Sequence, residues 1–122
     1  MKLELTRPAG THAITAYGEG YVIVNGARHE TNVIVLADRV LEWNTASFEA
    51  LRVADFEQLA RLDPQVVLLG TGARLRFPPP HLTRPLVEAR LGLEVMDVQA
   101  ACRTFNVLAS EGRRVVAALL LR

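Results

Sequence analysis

The chain has 122 residues, half of them hydrophobic and 22% charged, with a formal net charge of +1. That length suits one domain over residues 1–122, with enough apolar content for a core without disulfides. The charge balance excludes a disordered chain and argues against a dedicated nucleic-acid binder, which carries a strong basic excess. The one cysteine, Cys102, cannot form an internal disulfide or a thiolate metal cluster, which points to a reducing compartment.

The N-terminus, Met1-Lys2-Leu3-Glu4-Leu5-Thr6-Arg7-Pro8, has no apolar signal core and carries an early acid. It reads as neither a secretory signal nor a transit peptide. No apolar run approaches the ~20 residues that span a bilayer. The expected location is the cytoplasm.

The first half reads as β-structure. Leu3 and Leu5 alternate with polar neighbours. His12 to Tyr17 and Tyr21 to Val24 are short β-prone runs around a turn at Gly18-Glu19-Gly20. Asn25-Gly26 is a strong hairpin dipeptide, because both residues tolerate positive φ. Val33 to Leu36 and Val40 to Trp43 flank a second tight connection at Asp38-Arg39. These pieces favour an antiparallel layer.

The pattern then changes. Asp55 is expected to cap a helix from Phe56 to about Arg61, with Gln58 at the reciprocal capping-box position, and Asp63-Pro64 stops it. Val66 to Leu69 is continuously apolar, as in a strand buried on both faces. Arg74 to His81 is a loop enforced by Pro78-Pro79-Pro80. Thr83 to Leu91 reads as a helix closed by Gly92. Leu93 to Met96 reads as another buried strand. Asp97 caps a helix from Val98 to Glu111, Gly112 ends it, and Val115 to Leu121 is the last strand. The expected fold class is α/β: a three-layer core with a mixed, mostly parallel central sheet, plus an antiparallel β layer from the N-terminal half.

On the last helix, Val98, Ala101, Cys102, Phe105, Leu108 and Ala109 fall on one face, and Gln99, Arg103, Asn106 and Ser110 on a neighbouring polar stripe. If the strands before Gly70-Thr71-Gly72 and before Asp97 are parallel neighbours, the glycine loop and the helix start share one crevice. Two readings of that crevice stand side by side. In one it is a small anion site: Gly70, Thr71 and Gly72 let backbone N–H groups approach a ligand, and Arg74, Arg76 and Arg103 supply guanidinium groups, with Asn106 beside them. In the other the glycines make a tight turn and the arginines are solvated or pair with Asp97 and Glu111. No Walker lysine follows the loop, and it lacks the third glycine of the dinucleotide fingerprint.

Other candidates read as structural. Cys102 lies on the core face, where burial raises a thiol's pKa, so no catalytic role is assigned to it. His12, His29 and His81 lack metal-ligand spacing. Glu94 and Asp97 make a poor acid/base pair, and Asp97 fits a helix cap. Glu111 and Arg113 read as an ion pair bracketing Gly112. Trp43 reads as partly buried packing.

Leu69-Gly70-Thr71-Gly72, Gly92 to Asp97, Ala100 to Leu108 and Glu111-Gly112-Arg113 resemble a small single-domain family of unknown function, often named after an archaeal structural-genomics protein. Its mitochondrial members are assembly factors for respiratory complex I. The resemblance runs from about residue 10 to 122 and is strongest from Val66 onward; Leu36 to Val40 and Trp43 resemble an earlier strand pair of the family. It implies a three-layer α/β fold with an added β layer, no established enzyme activity and no cofactor. The family's recurrent positions fall on Gly70, Gly72, Met96, Asn106, Glu111 and Arg113. The N-terminus departs from the mitochondrial members and points to a bacterial-type protein. Two function classes follow: an interaction or assembly protein holding a protein partner, or a domain that binds a small molecule or anion, with an enzyme as one form of the second class. An exposed apolar patch beside the glycine loop favours the first. A pocket lined by Arg74 or Arg103 favours the second.

Overall fold

A computed structural model describes residues 12–122; the alternation at Leu3 and Leu5 lies outside them. Among the described residues, eight strands and three α-helices follow in chain order: β1 (Ile14–Gly18), β2 (Tyr21–Val24), β3 (Ala27–His29), β4 (Val33–Val35), β5 (Val40–Glu42), α1 (Val53–Ala60), β6 (Val66–Gly70), α2 (Arg84–Glu88), β7 (Gly92–Met96), α3 (Val98–Ser110) and β8 (Val115–Leu119). A short 3-10 turn, Pro80–Thr83, leads into α2.

The first half divides its strands between two sheets. β1, β2 and β3 form a separate antiparallel meander, while β4 and β5 join the large sheet in the order β5-β4-β8-β6-β7. β6 pairs in parallel with both β7 and β8, and β4 alone runs against the other four strands. The α/β class, with a mostly parallel sheet and an added antiparallel layer, is therefore present. Asn25 and Gly26 both take positive φ, 48° and 86°, as the two-residue hairpin between β2 and β3 requires.

Side chains alternate across the large sheet. Val33, Val35, Val66, Leu68, Val115, Ala117 and Leu119 face α3 and the small sheet. Ile34, Val67, Leu69, Val116 and Ala118 face Phe56 and Leu59 of α1 and Leu86 of α2. The chain leaves β6 for β7 through α2 on one face and returns over β6 to β8 through α3 on the other. Oppositely directed right-handed crossovers place helices on opposite faces in this way.

Five local expectations are corrected. α1 begins three residues early, with Arg52 as its N-cap; Asp55 is its third helical residue and accepts from the Arg52 N–H at 2.8 Å. A carboxylate three residues in can close the turn as well as open it, so Asp55, and not Gln58, is the reciprocal acid. α2 is shorter than expected, because Pro78-Pro79-Pro80 imposes a 3-10 start. Arg90 takes the left-handed φ of 58° after it, while Gly92 opens β7. Among the described residues β7 is the edge strand, with no strand paired to its outer side, and it is only half-buried. Trp43 is buried, only 3% exposed, under the α1/α2 face.

Candidate functional site

The parallel pairing of β6 with β7 sets Gly70 opposite Met96. The glycine loop and the start of α3 therefore leave the sheet side by side. Two backbone bonds fasten them: the Thr71 N–H donates to the Met96 carbonyl at 2.9 Å, and the Val98 N–H donates to the Gly72 carbonyl at 2.9 Å. Gly72 adopts φ of 90°, a conformation that L side chains rarely take. Gly70 answers a different need. A Cβ there would stand 3.2 Å from the Ala101 Cβ and 3.3 Å from the Val98 Cα, so its bare backbone lets α3 lie close on β6. Asp97 caps α3 by accepting from the Ala100 N–H at 2.9 Å.

The crevice exists and is a cleft of about 880 Å³. Gly72 and Ala73 form one wall, and Val98 and Gln99 another. Two further walls had no signature in the sequence: the β1–β2 turn at Tyr17 to Gly20, and the chain end from Leu120 to Arg122. Asn32 positions that end, its side-chain oxygen accepting from the Leu121 and Arg122 N–H groups at 2.7 and 3.0 Å.

The expected ligand groups do not converge there. Thr71 is buried and organises its own loop: its hydroxyl donates to the Arg74 carbonyl at 2.7 Å and accepts from the Arg76 N–H at 3.0 Å. Arg76 turns toward the α1 side. Its Nη1 donates to Glu49 at 2.8 Å, its Nη2 to the Thr71 carbonyl at 3.2 Å, and its guanidinium lies 4.4 Å from the centre of the Phe48 ring. Arg74 is exposed and off the cleft lining. Arg103 is exposed and reaches the cleft only indirectly, donating to the Tyr17 hydroxyl at 3.1 Å. Asn106 leaves the polar stripe altogether. It is buried, and its amide donates to the Ile14 carbonyl and accepts from the Ile14 N–H, both at 2.9 Å. The β1–β2 register shifts between Ile14 and Ala16, so a bulge lies beside this clamp. Gly72 is thus the one predicted ligand residue that lines the cleft; Gly70, Thr71 and Asn106 hold its walls in place.

The remaining candidates settle simply. Cys102 is fully buried, and burial pushes its thiol up to about 12, so at neutral pH it is an apolar filler. Glu111 is the C-cap of α3, and among the described residues it forms no ion pair with Arg113. Gly112, at φ of 78°, carries the chain past the cap and leaves both side chains exposed. Among the described residues no group of His, Cys, Asp or Glu is placed to hold a metal ion, and no helix is long and apolar enough to cross a membrane.

Residues 14–120 match the family model described as a protein of unknown function, DUF498/DUF598. The chain belongs to this family. Among its relatives, NADH dehydrogenase (ubiquinone) 1 alpha subcomplex assembly factor 3 of Bos taurus is 34% identical over 109 residues, which cover 88% of this chain and 59% of the relative. The chain thus spans about six tenths of the length of that assembly factor. An uncharacterized protein of Rhodobacter capsulatus is 37% identical over 92% of this chain and 86% of its own. A crystal structure of a Bordetella parapertussis protein superposes with a TM-score of 0.86 at 40% identity, covering 93% of this chain and 98% of the other. The family expected from the glycine loop and α3 is therefore the one found, and it includes bacterial members and the assembly factors.

Proposed function

We propose that this family member is a non-enzymatic, assembly-type protein of the cytoplasm, one domain over residues 1–122, that seats an apolar segment of a protein partner in the cleft. One observation carries the reading: the cleft walls are mainly apolar, with Tyr17, Ala73, Val98, Leu120 and Leu121, while the guanidinium groups of Arg74, Arg76 and Arg103 lie elsewhere. A side chain of a partner gains by entering such walls, whereas Arg122, the one guanidinium of the lining, already donates its Nε–H to the Glu30 carbonyl at 2.9 Å. The names of the assembly-factor relatives support the same class.

A second reading keeps the cleft but fills it with a small anion, on the strength of Arg122 at its rim and the backbone donors of the glycine loop. One pair of measurements separates the two. Gln99 is exposed on the first turn of α3 and lines the cleft, so Gln99→Trp fills the space without touching the core. Native-lysate capture is expected to lose its partner with Gln99→Trp while the circular dichroism spectrum is unchanged. Titration with phosphate or acetate is expected to leave the amide shifts of Gly72, Ala73 and Gln99 in place. Shifts there at millimolar anion, with capture unaffected by Gln99→Trp, favour the anion reading instead.

A further inference from the structure

On the other side of the glycine loop lies a surface that the cleft does not use. Leu75 is 50% exposed and Phe77 is 70% exposed. Between them Arg76 points inward, fixed by Glu49, the Phe48 ring and the Thr71 carbonyl. Thr71 clasps the same stretch through the Arg74 carbonyl and the Arg76 N–H, and the buried Pro78 ends it. The two apolar side chains are thus presented by an anchored loop, and little ordering entropy remains to be lost when they are buried.

The stretch of sequence that carries them has formal charge of one sign. From Pro64 to Val87 the sequence contains no Asp or Glu, but it contains Arg74, Arg76, His81 and Arg84. Glu49 neutralises Arg76, whereas Arg74, His81 and Arg84 are exposed and enter no ion pair among the described residues. Two exposed apolar side chains beside the unpaired Arg74, with Arg84 further along the same segment, differ from the centre of a protein–protein patch, where charge is depleted. They match a headgroup layer, which takes apolar tips a few ångströms deep and holds cations at its phosphates.

We propose that the Gly72–Pro80 loop docks this protein on a membrane surface bearing anionic lipids, with Leu75 and Phe77 inserted and Arg74 and Arg84 at the phosphates. The contact is peripheral: two side chains and a few cations give reversible binding that salt weakens. It is independent of what fills the cleft, because the loop shares only Gly72 and Ala73 with the cleft lining.

Vesicle co-sedimentation tests it, using phosphatidylcholine with about a quarter phosphatidylglycerol against phosphatidylcholine alone. The full chain is expected to pellet with the anionic vesicles, to pellet poorly with the neutral ones, and to be released at about 0.5 M salt. The double variant Leu75→Ser/Phe77→Ser is expected to partition about tenfold less, and Arg74→Gln about threefold less. All four side chains named for the contact are exposed, so thermal midpoints should not move. As a second readout, Phe77→Trp should add emission that shifts to the blue on anionic vesicles, over the constant emission of the buried Trp43. No pelleting with anionic vesicles, or equal pelleting of the double variant, overturns the proposal. If vesicles have no effect and the double variant instead loses a captured protein, the loop is a protein-docking surface and the membrane assignment is wrong.

Discussion

The two faces of the large sheet are covered by different means. The face under α1 and α2 is covered mainly by apolar side chains, with Phe56, Leu59 and Leu86 fully buried on Val67, Leu69 and Val116. The face under α3 carries a second sheet beside the helix, and its seam is a polar clamp: the Asn106 amide holds both backbone groups of Ile14. Apolar contact is non-directional and tolerates small shifts. An amide bound to one peptide fixes a single register between α3 and β1. That register matters, because α3 supplies Val98 and Gln99 to the cleft and β1 supplies Tyr17. The clamped face is the one that must be placed; the other must only be covered.

The sharpest way to break this contrast is to remove the clamp. Asn106→Ala leaves the Ile14 N–H and C=O buried without partners and should cost about 2–4 kcal/mol in urea unfolding. Leu86→Met on the opposite face, which conserves volume, should cost less than about 1.5 kcal/mol. Equal losses would show the clamp to be ordinary packing. A smaller effect is expected at Gly70, where a Cβ would meet the Leu119 Cδ2 at 3.0 Å as well as Ala101 and Val98. Gly70→Ala should cost about 1–3 kcal/mol by prying α3 from β6, and the amide shifts of Val98 and Gln99 should move with it. Unchanged shifts would mean that the helix absorbs the methyl without moving and that the close approach does not shape the cleft.

The mildest test uses Cys102, on the same face. Its folded thiol sits at about 12 against an ordinary value near 9.0, because burial disfavours the thiolate. The neutral thiol is therefore the form that folding favours. Its contribution is fully present below the unfolded value and is lost as pH rises from about 9 through about 12. Unfolding free energy should fall across that window in the wild type, and the part due to this group should vanish in Cys102→Ala. Native labelling by a thiol reagent should be slow at neutral pH and fast in denaturant. Rapid native labelling would place the thiol at the surface and contradict the α3 packing.

The second half of the chain is largely legible in its residues. A continuously apolar run such as Val66 to Leu69 has few alternatives to a strand covered on both faces. Asp97 before an amphipathic run and Gly112 after it bound α3 closely. The departures from expectation share a cause. Asp55 carries a cap signal valid at either the first or the third position, and Gly92 a stop signal that Arg90 satisfies instead. Gln99, Arg103 and Ser110 lie on the exposed side of α3 as periodicity requires, but Asn106 does not. Helical periodicity says which residues share a face and nothing about a second element arriving on it.

The sequence by itself therefore determined the α/β class, the family, and the meeting of the glycine loop with the start of α3, because strand burial, helix caps and positive-φ turns are local properties. Only the tertiary structure decided how the first half divides between two sheets, since hairpin signals carry no address for the sheet they join. It alone decided which polar groups are already used. Arg76 is held by Glu49, Arg103 touches Tyr17, and Asn106 holds Ile14, across separations of 27, 86 and 92 residues. Partners so distant in sequence are chosen by packing, so of the residues expected to form a ligand or partner surface, Gly72 lines the cleft itself.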